Sequence, residues 1–173
     1  IRKMLRNLGL AGHRKVKKPR RHRQRRERRP RFGELIQQDT SPHDWLGTGR
    51  IYHMVAAIDD ATSRLLHAEL FDADGTLANM AVMKTVFLKY GLPMAVYTDK
   101  ASWFHVNPRK QRLPFDPEVE VKVRAITQIG RALKRLGVDL IPAHSPQAKG
   151  RIERLNATLQ DRMIAELKLA GIR

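Results

Sequence analysis

Three acids in this sequence stand where a folded chain could gather them. Asp39 closes the run Gly33-Glu34-Leu35-Ile36-Gln37-Gln38, Asp99 follows Met94 to Thr98, and Glu153 falls in the first turns of the last helical segment. If the two short runs are neighbouring parallel strands, both aspartates emerge at one sheet edge, and sites in open α/β sheets collect at such carboxyl ends. A helix packed across that edge can face them with Glu153. Three hard oxygen ligands, in a chain with no cysteine, suit Mg²⁺ or Mn²⁺ better than a structural zinc. Two such ions about 3.5–4 Å apart can activate a water or a 3′-hydroxyl and stabilise the leaving oxygen of a phosphodiester.

Spacing alone leaves plainer readings open. Lys149, Glu153, Asn156 and Gln160 recur at helical intervals as a polar stripe, while Ile152, Leu155, Leu159 and Met163 form an apolar stripe able to dock the helix. Glu153, flanked by Lys149, Arg151 and Arg154, also reads as a surface ion-pair residue. A single Asp after a strand is commonly a turn or cap residue. Asp59 and Asp60 read as stabilisers of a tight turn, and Asp44 is a weaker alternative to Asp39. His144 sits ahead of the last helix, where a substrate contact and a structural hydrogen bond are both open. The remaining histidines, His13, His22, His43, His53, His67 and His105, show no paired ligand spacing, and there is no thiolate for a zinc finger. Trp45 and Trp103 could stack on bases, although a core role suits large aromatic rings better.

The elements that must position these residues follow from periodicity and punctuation. Strands are expected at 33–39, 51–58 and 64–71, the second and third joined by the turn Asp59-Asp60-Ala61-Thr62-Ser63 as an antiparallel hairpin. Thr40-Ser41-Pro42 reads as a turn. Thr76 to Tyr90 is helical, ended by Gly91 and Pro93; Met94 to Thr98 is a fourth strand. A stretch broken by Pro108, Pro114 and Pro117 precedes a helix from Ala125 to Leu136, stopped by Gly137. Val138 to Ile141 is a fifth strand, and a final helix follows Ser145-Pro146 to about Ala170. The order βββαβαβα predicts an α/β fold, a mixed five-stranded sheet with helices on its faces.

The 173 residues carry a net charge of +17, very unevenly placed. Residues 1–31 hold fifteen Lys and Arg against a single acid, Glu27, whereas residues 32–173 are nearly balanced. Ile1 to Leu10 has a helical pattern. From Arg14 to Arg31, a span including Arg20, Arg21, Arg23, Arg25 and Arg26, no apolar period exists, so a self-repelling, largely extended linker that tracks DNA phosphates is expected. A solvated tail is the alternative. Membrane adhesion lacks the apolar face it needs, and no run of about 18 apolar residues could span a bilayer. A hydrophobic content of 42% argues against a wholly disordered chain. The absence of cysteine fits a reducing compartment.

Five phrases in order carry a resemblance. They are Gln38-Asp39-Thr40-Ser41-Pro42-His43-Asp44-Trp45, Ile58-Asp59-Asp60-Ala61-Thr62-Ser63-Arg64, Tyr97-Thr98-Asp99-Lys100, Gly130-Arg131-Ala132-Leu133, and His144-Ser145-Pro146-Gln147-Ala148-Lys149-Gly150-Arg151-Ile152-Glu153-Arg154. Together, over about Gly33 to Gly171, they resemble the integrase core of bacterial insertion-sequence transposases, DDE recombinases with a ribonuclease-H-like fold related to retroviral integrases. The last phrase is the most specific. One departure is the gap between Asp99 and Glu153, longer than in retroviral-type cores; the Pro-broken stretch from about His105 to Lys122 reads as the insertion.

The resemblance implies that Asp39, Asp99 and Glu153 are a metal-binding catalytic triad for Mg²⁺ or Mn²⁺, with two ions. It implies metal-assisted cleavage at DNA 3′ ends and attack of the freed 3′-hydroxyl on target DNA, by a self-associating cytoplasmic protein that meets the bacterial nucleoid. Lys149, Arg151 and Arg154 would contact phosphates beside the site, together with Arg20, Arg21, Arg23, Arg25 and Arg26 in the linker. Residues 1–31 would be the tail of an upstream helix-turn-helix domain and 32–173 the catalytic core. Two rivals share this sequence pattern: a decayed or domesticated DNA-binding remnant, and a ribonuclease-H-like nuclease without strand transfer.

Overall fold

Met54 to Ile58 is apolar at every position, and such a run is stable only where both faces of a strand are covered. The computed structural model, which describes residues 27–106, 126–143 and 150–171, buries all five of these residues. They belong to β2 (Tyr52–Asp59), which lies between β1 (Leu35–His43) and β3 (Leu65–Phe71). Helix α1 (Thr76–Tyr90) leads to β4 (Ala95–Thr98), α2 (Gln128–Arg135) to β5 (Asp139–Pro142), and α3 (Gly150–Leu169) closes the described chain. The sheet order is β3-β2-β1-β4-β5. β2 pairs antiparallel with β1 and β3, while β4 pairs parallel with β1 and β5. This is the mixed five-stranded sheet expected from the element order. The expected Ile1–Leu10 helix, the extended linker up to Arg26 and the Pro-broken stretch from 107 lie outside the described residues.

Strand alternation sorts the side chains onto two faces. On one, Ile36, Val55, Ala57 and Leu66 meet Ala78, Val82 and Val86 of α1. Val96 on the same face joins Met83 of α1, Phe104, and Ile129 and Leu133 of α2. The Thr127 hydroxyl caps the start of α2 by accepting the Gly130 N–H at 3.0 Å. Its end is turned by Gly137 at φ 71°, a left-handed conformation that favours glycine. The opposite face carries α3, whose fully buried Ile152 packs with Trp45, Met54, Ala56 and Ile58, flanked by Leu155, Leu159 and Met163. The apolar stripe of α3 therefore docks the helix.

One boundary differs from expectation. β1 does not end at Asp39 but runs through Thr40-Ser41-Pro42 to His43, paired with β2 as far as His43↔Tyr52. Its pairing with β4 stops at Gln37↔Tyr97. Pro42 thus sits where β1 is bonded on one side only, a place where a missing N–H is tolerated. The long β1–β2 hairpin is turned by Asp44, whose carboxylate accepts the Thr48 and Gly49 N–H groups at 2.9 and 2.8 Å.

Candidate active site

The parallel register pairs Leu35 with Ala95, Ile36 with Val96 and Gln37 with Tyr97. Extended by two residues along each chain, it sets Asp39 level with Asp99, on the same sheet face by strand alternation. Asp39 is half-buried within β1, and Asp99 is exposed just beyond β4. Asp99 Oδ1 accepts the Ala101 N–H at 3.0 Å, which turns the chain away from the strand.

Helix α3 runs alongside β1 in the same direction, and Arg151 together with Asn156 and Gln160 of its polar stripe makes the contacts. Asp60 Oδ1, in the β2–β3 turn, accepts both Gln37 Nε2 (2.6 Å) and Arg151 Nη1. Further along, Asn156 Nδ2 donates to Asp39 Oδ2 at 3.2 Å, and Gln160 Nε2 donates to Ser41 Oγ at 2.9 Å. From Arg151 to Gln160 the helix advances about 13.5 Å at 1.5 Å per residue. The strand covers about the same distance from Gln37 to Ser41 at roughly 3.4 Å per residue. The two elements are commensurate over this span. Glu153 lies between the Arg151 and Asn156 contacts and is itself exposed.

Asp39, Asp99 and Glu153 thus lie on three adjoining elements. Among the described residues, no three His, Asp or Glu side chains are gathered closely enough to form a metal-holding cluster. The donor set still fits a hard divalent cation: all are carboxylates, two are exposed and one is half-buried. Mutual repulsion keeps three carboxylates apart unless positive charge draws them together.

The other residues singled out above divide clearly. Arg151 has a buried internal partner, Asp60, and only 13% of its side chain is exposed, so its guanidinium faces inward rather than toward a phosphate. Arg154 is exposed, with Nε donating to the Gly150 carbonyl at 2.9 Å. Lys149, His144 and the linker arginines Arg20, Arg21, Arg23, Arg25 and Arg26 lie outside the described residues. Asp59 stabilises the turn, accepting the Thr62 N–H and hydroxyl at 2.8 and 2.7 Å and the Gly33 N–H at 3.0 Å. Asp44 is committed to its loop: the Gly49 N–H, followed by those of Thr48 and Gly47, holds its carboxyl below the ordinary 3.8. Trp45 is fully buried, its Nε1 donating to the Ser41 carbonyl at 2.9 Å, so it is unavailable for base stacking.

Two features escape a reading of the sequence. Asn156 belongs to the polar stripe with Glu153, and that periodicity is the available signal for its reach to Asp39. The Asp60–Arg151 pair spans 91 positions and has no local signal at all.

The fold is similar to retroviral integrase cores. The HTLV-2 integrase catalytic core domain, solved with magnesium in a dimeric form, superposes with a TM-score of 0.55 at 11% identity, covering 79% of this chain and 73% of that one. A simian T-cell lymphotropic virus intasome gives a TM-score of 0.55 at 14% identity over 84% of this chain and 46% of that one. At such identities the likeness is one of fold, and it makes this sheet the ribonuclease-H-like sheet of integrase catalytic cores. Sequence comparison is more particular. The chain is 37% identical over 150 residues to the putative transposase y4bF of Sinorhizobium fredii, covering 86% of this chain and 31% of that protein. It is 39% identical over 144 residues to the transposase for insertion sequence IS1202 of Streptococcus pneumoniae, covering 83% of this chain and 29% of that protein. No protein-family profile matches the sequence. The relatives bear out the resemblance to integrase-core transposases of insertion sequences, and the chain spans about a third of their length.

Proposed function

We propose that this chain is the catalytic core of a DNA transposase that cuts DNA at 3′ ends and joins the freed 3′-hydroxyl to target DNA. The observation that carries the reading is the parallel pairing Gln37↔Tyr97, two residues short of Asp39 and Asp99 on their strands, with Asn156 of α3, one turn past Glu153, bonded to Asp39. Asp39, Asp99 and Glu153 would hold Mg²⁺ or Mn²⁺, and two ions suit in-line phosphoryl transfer. Such cations supply activation of the attacking oxygen and neutralisation of charge on the leaving one.

The chain's own residues supply the rest. The Asn156 amide donates to Asp39 Oδ2 and would orient that carboxylate toward the reaction centre. The buried sheet beneath Asp39 holds that strand rigidly, as a site needing sub-ångström placement requires. Arg154 would contact the DNA backbone beside the site, with Lys149 and the linker arginines adding sequence-independent affinity. The solved neighbours include dimeric and trimeric cores and an intasome; this chain would likewise act as a multimer holding two DNA ends.

Cleavage of supercoiled plasmid in Mg²⁺ or Mn²⁺ tests the reading, with DNA binding measured in parallel for wild type, Asp39→Asn and Glu153→Gln. The expected result is metal-dependent cutting reduced about a thousandfold in each variant, near 4 kcal/mol of transition-state stabilisation, with binding retained. Cutting that survives both substitutions refutes the three-acid site. Cutting without joining of 3′ ends to target DNA makes the chain a nuclease. Salt-sensitive binding without cutting by any form, including the chain joined to the rest of a full-length relative, makes it a DNA-binding remnant.

A further inference from the structure

The β2–β3 turn holds a carboxylate whose surroundings exceed what a turn requires. Asp60 is fully buried, and Arg151, its ion-pair partner, is nearly so. Burying two charges is costly unless their geometry is well satisfied, so such a pair is a poor candidate for incidental surface decoration. A single oxygen, Oδ1, receives Gln37 Nε2 and Arg151 Nη1. Gln37 precedes Asp39 by two residues on the same face of β1, and Arg151 precedes Glu153 by two residues on α3. The other oxygen, Oδ2, accepts the Arg29 N–H at 2.8 Å, while Arg28 Nη1 reaches the Ala61 carbonyl at 3.1 Å. With both oxygens engaged, the carboxylate cannot swing away from its partners.

We infer that Asp60 and Arg151 are positioning residues that set the spacing between β1 and the first turn of α3, and thereby between Asp39 and Glu153. The inference rests on the metal-site reading proposed above. Like charges on Asp39, Asp99 and Glu153 push the start of α3 away from the sheet. Glu153 is exposed, so its own burial offers little resistance to that push. Ile152 anchors the turn by apolar contact alone, which fixes depth more firmly than rotation about the helix axis. The guanidinium–carboxylate contact is directional and fixes rotation at the start of the helix, as the Asn156–Asp39 bond does further along. Because Asp60 also grips the backbone at Arg29, the polybasic segment enters the core at the same anchor.

Arg151→Gln and Asp60→Asn in the full chain test the inference. Three quantities are read: Mn²⁺ affinity from water-proton relaxation, amide exchange across residues 150–156, and melting temperature. Each substitution is expected to weaken Mn²⁺ binding about tenfold, the lower end of what outer-shell partners of metal ligands contribute. Exchange in the first turn of α3 should accelerate while β4 remains protected. The double variant should bind Mn²⁺ no worse than either single one, because both remove one interaction. Wild-type Mn²⁺ affinity in folded Arg151→Gln, with only a lower melting temperature, overturns the inference and makes the pair purely structural. If Arg151→Gln does not fold, Asp60→Asn decides, since it keeps the side-chain shape and a Gln37 contact; unchanged Mn²⁺ binding there overturns the inference equally. A wild-type chain that binds no Mn²⁺ refutes the metal-site reading itself, and the purpose assigned to the pair falls with it.

Discussion

Ile152 is the fully buried apolar residue of α3 in the cluster that docks the helix, and shortening it tests that docking directly. Its side chain is fully buried among Trp45, Met54, Ala56 and Ile58. Ile152→Ala removes three carbons from that cluster. Lost transfer energy and the cavity left behind give a cost of about 3 kcal/mol. Alanine's better helix propensity returns only a few tenths of that. In a domain of this size, with a fall of about 2–4 °C per kcal/mol, the melting temperature should drop by roughly 6–12 °C. Denaturant titration should show a lower midpoint with an unchanged slope, because the same surface is exposed on unfolding. The comparison is Leu169→Ala on the same helix: Leu169 is 85% exposed, and its loss should alter stability by no more than about 0.5 kcal/mol. Since Glu153 adjoins Ile152, metal-dependent cutting measured well below the melting transition should fall further than the unfolded fraction explains. An Ile152→Ala variant within 1 kcal/mol of wild type would refute the docking of α3 described above.

Two further outcomes follow from charge. The depressed carboxyl of Asp44 stabilises its loop above the unfolded value of 3.8, and that contribution is lost as pH falls through the lower folded value. The Gly49 amide resonance should therefore move on acidification below about pH 4, and Asp44→Ala should abolish the movement; a titration persisting in the variant assigns it elsewhere. Replacing Arg20, Arg21, Arg23, Arg25 and Arg26 with Gln should lower the slope of log affinity against log salt by up to about 4.5 for duplex DNA, while leaving melting of the core unchanged. An unaltered slope would show that these arginines do not meet phosphates.

The elements most legible in the sequence are those whose residues leave one solution. The Met54–Ile58 run has to be an interior strand, and the turn formers after it have to make a hairpin. The Ile152-Leu155-Leu159-Met163 stripe has one apolar side to bury. Helix α1 is harder, because apolar residues surround it: Leu77 and Leu88 look like core positions yet are 84% and 79% exposed. Asn79 is buried instead, its side-chain carbonyl accepting Gln38 Nε2 at 2.8 Å. The extension of β1 through Pro42 depends on where its neighbour β4 ends, which no local pattern encodes. At the site, the strand-end position of Asp99 follows from its apolar run. The link between Asp60 and Arg151 depends on a fold that brings a turn and a helix together across half the chain.

The matched lengths of α3 and β1 have a consequence for how such chains vary. Glu153 is located by contacts ahead of and behind it on β1 and the β2–β3 turn, not by its distance along the chain from Asp99. Outside α2 and β5, the connection between those two acids is thereby released as a spacer. Lengthening a loop raises its closure cost only logarithmically, by about 0.6 kcal/mol per doubling, so chain can be added there cheaply. A single residue inserted between Arg151 and Asn156 is another matter, because it would rotate the rest of α3 by about 100° and part Asn156 from Asp39. Relatives should therefore differ freely in the length of that connection and hardly at all in the five-residue step from Arg151 to Asn156.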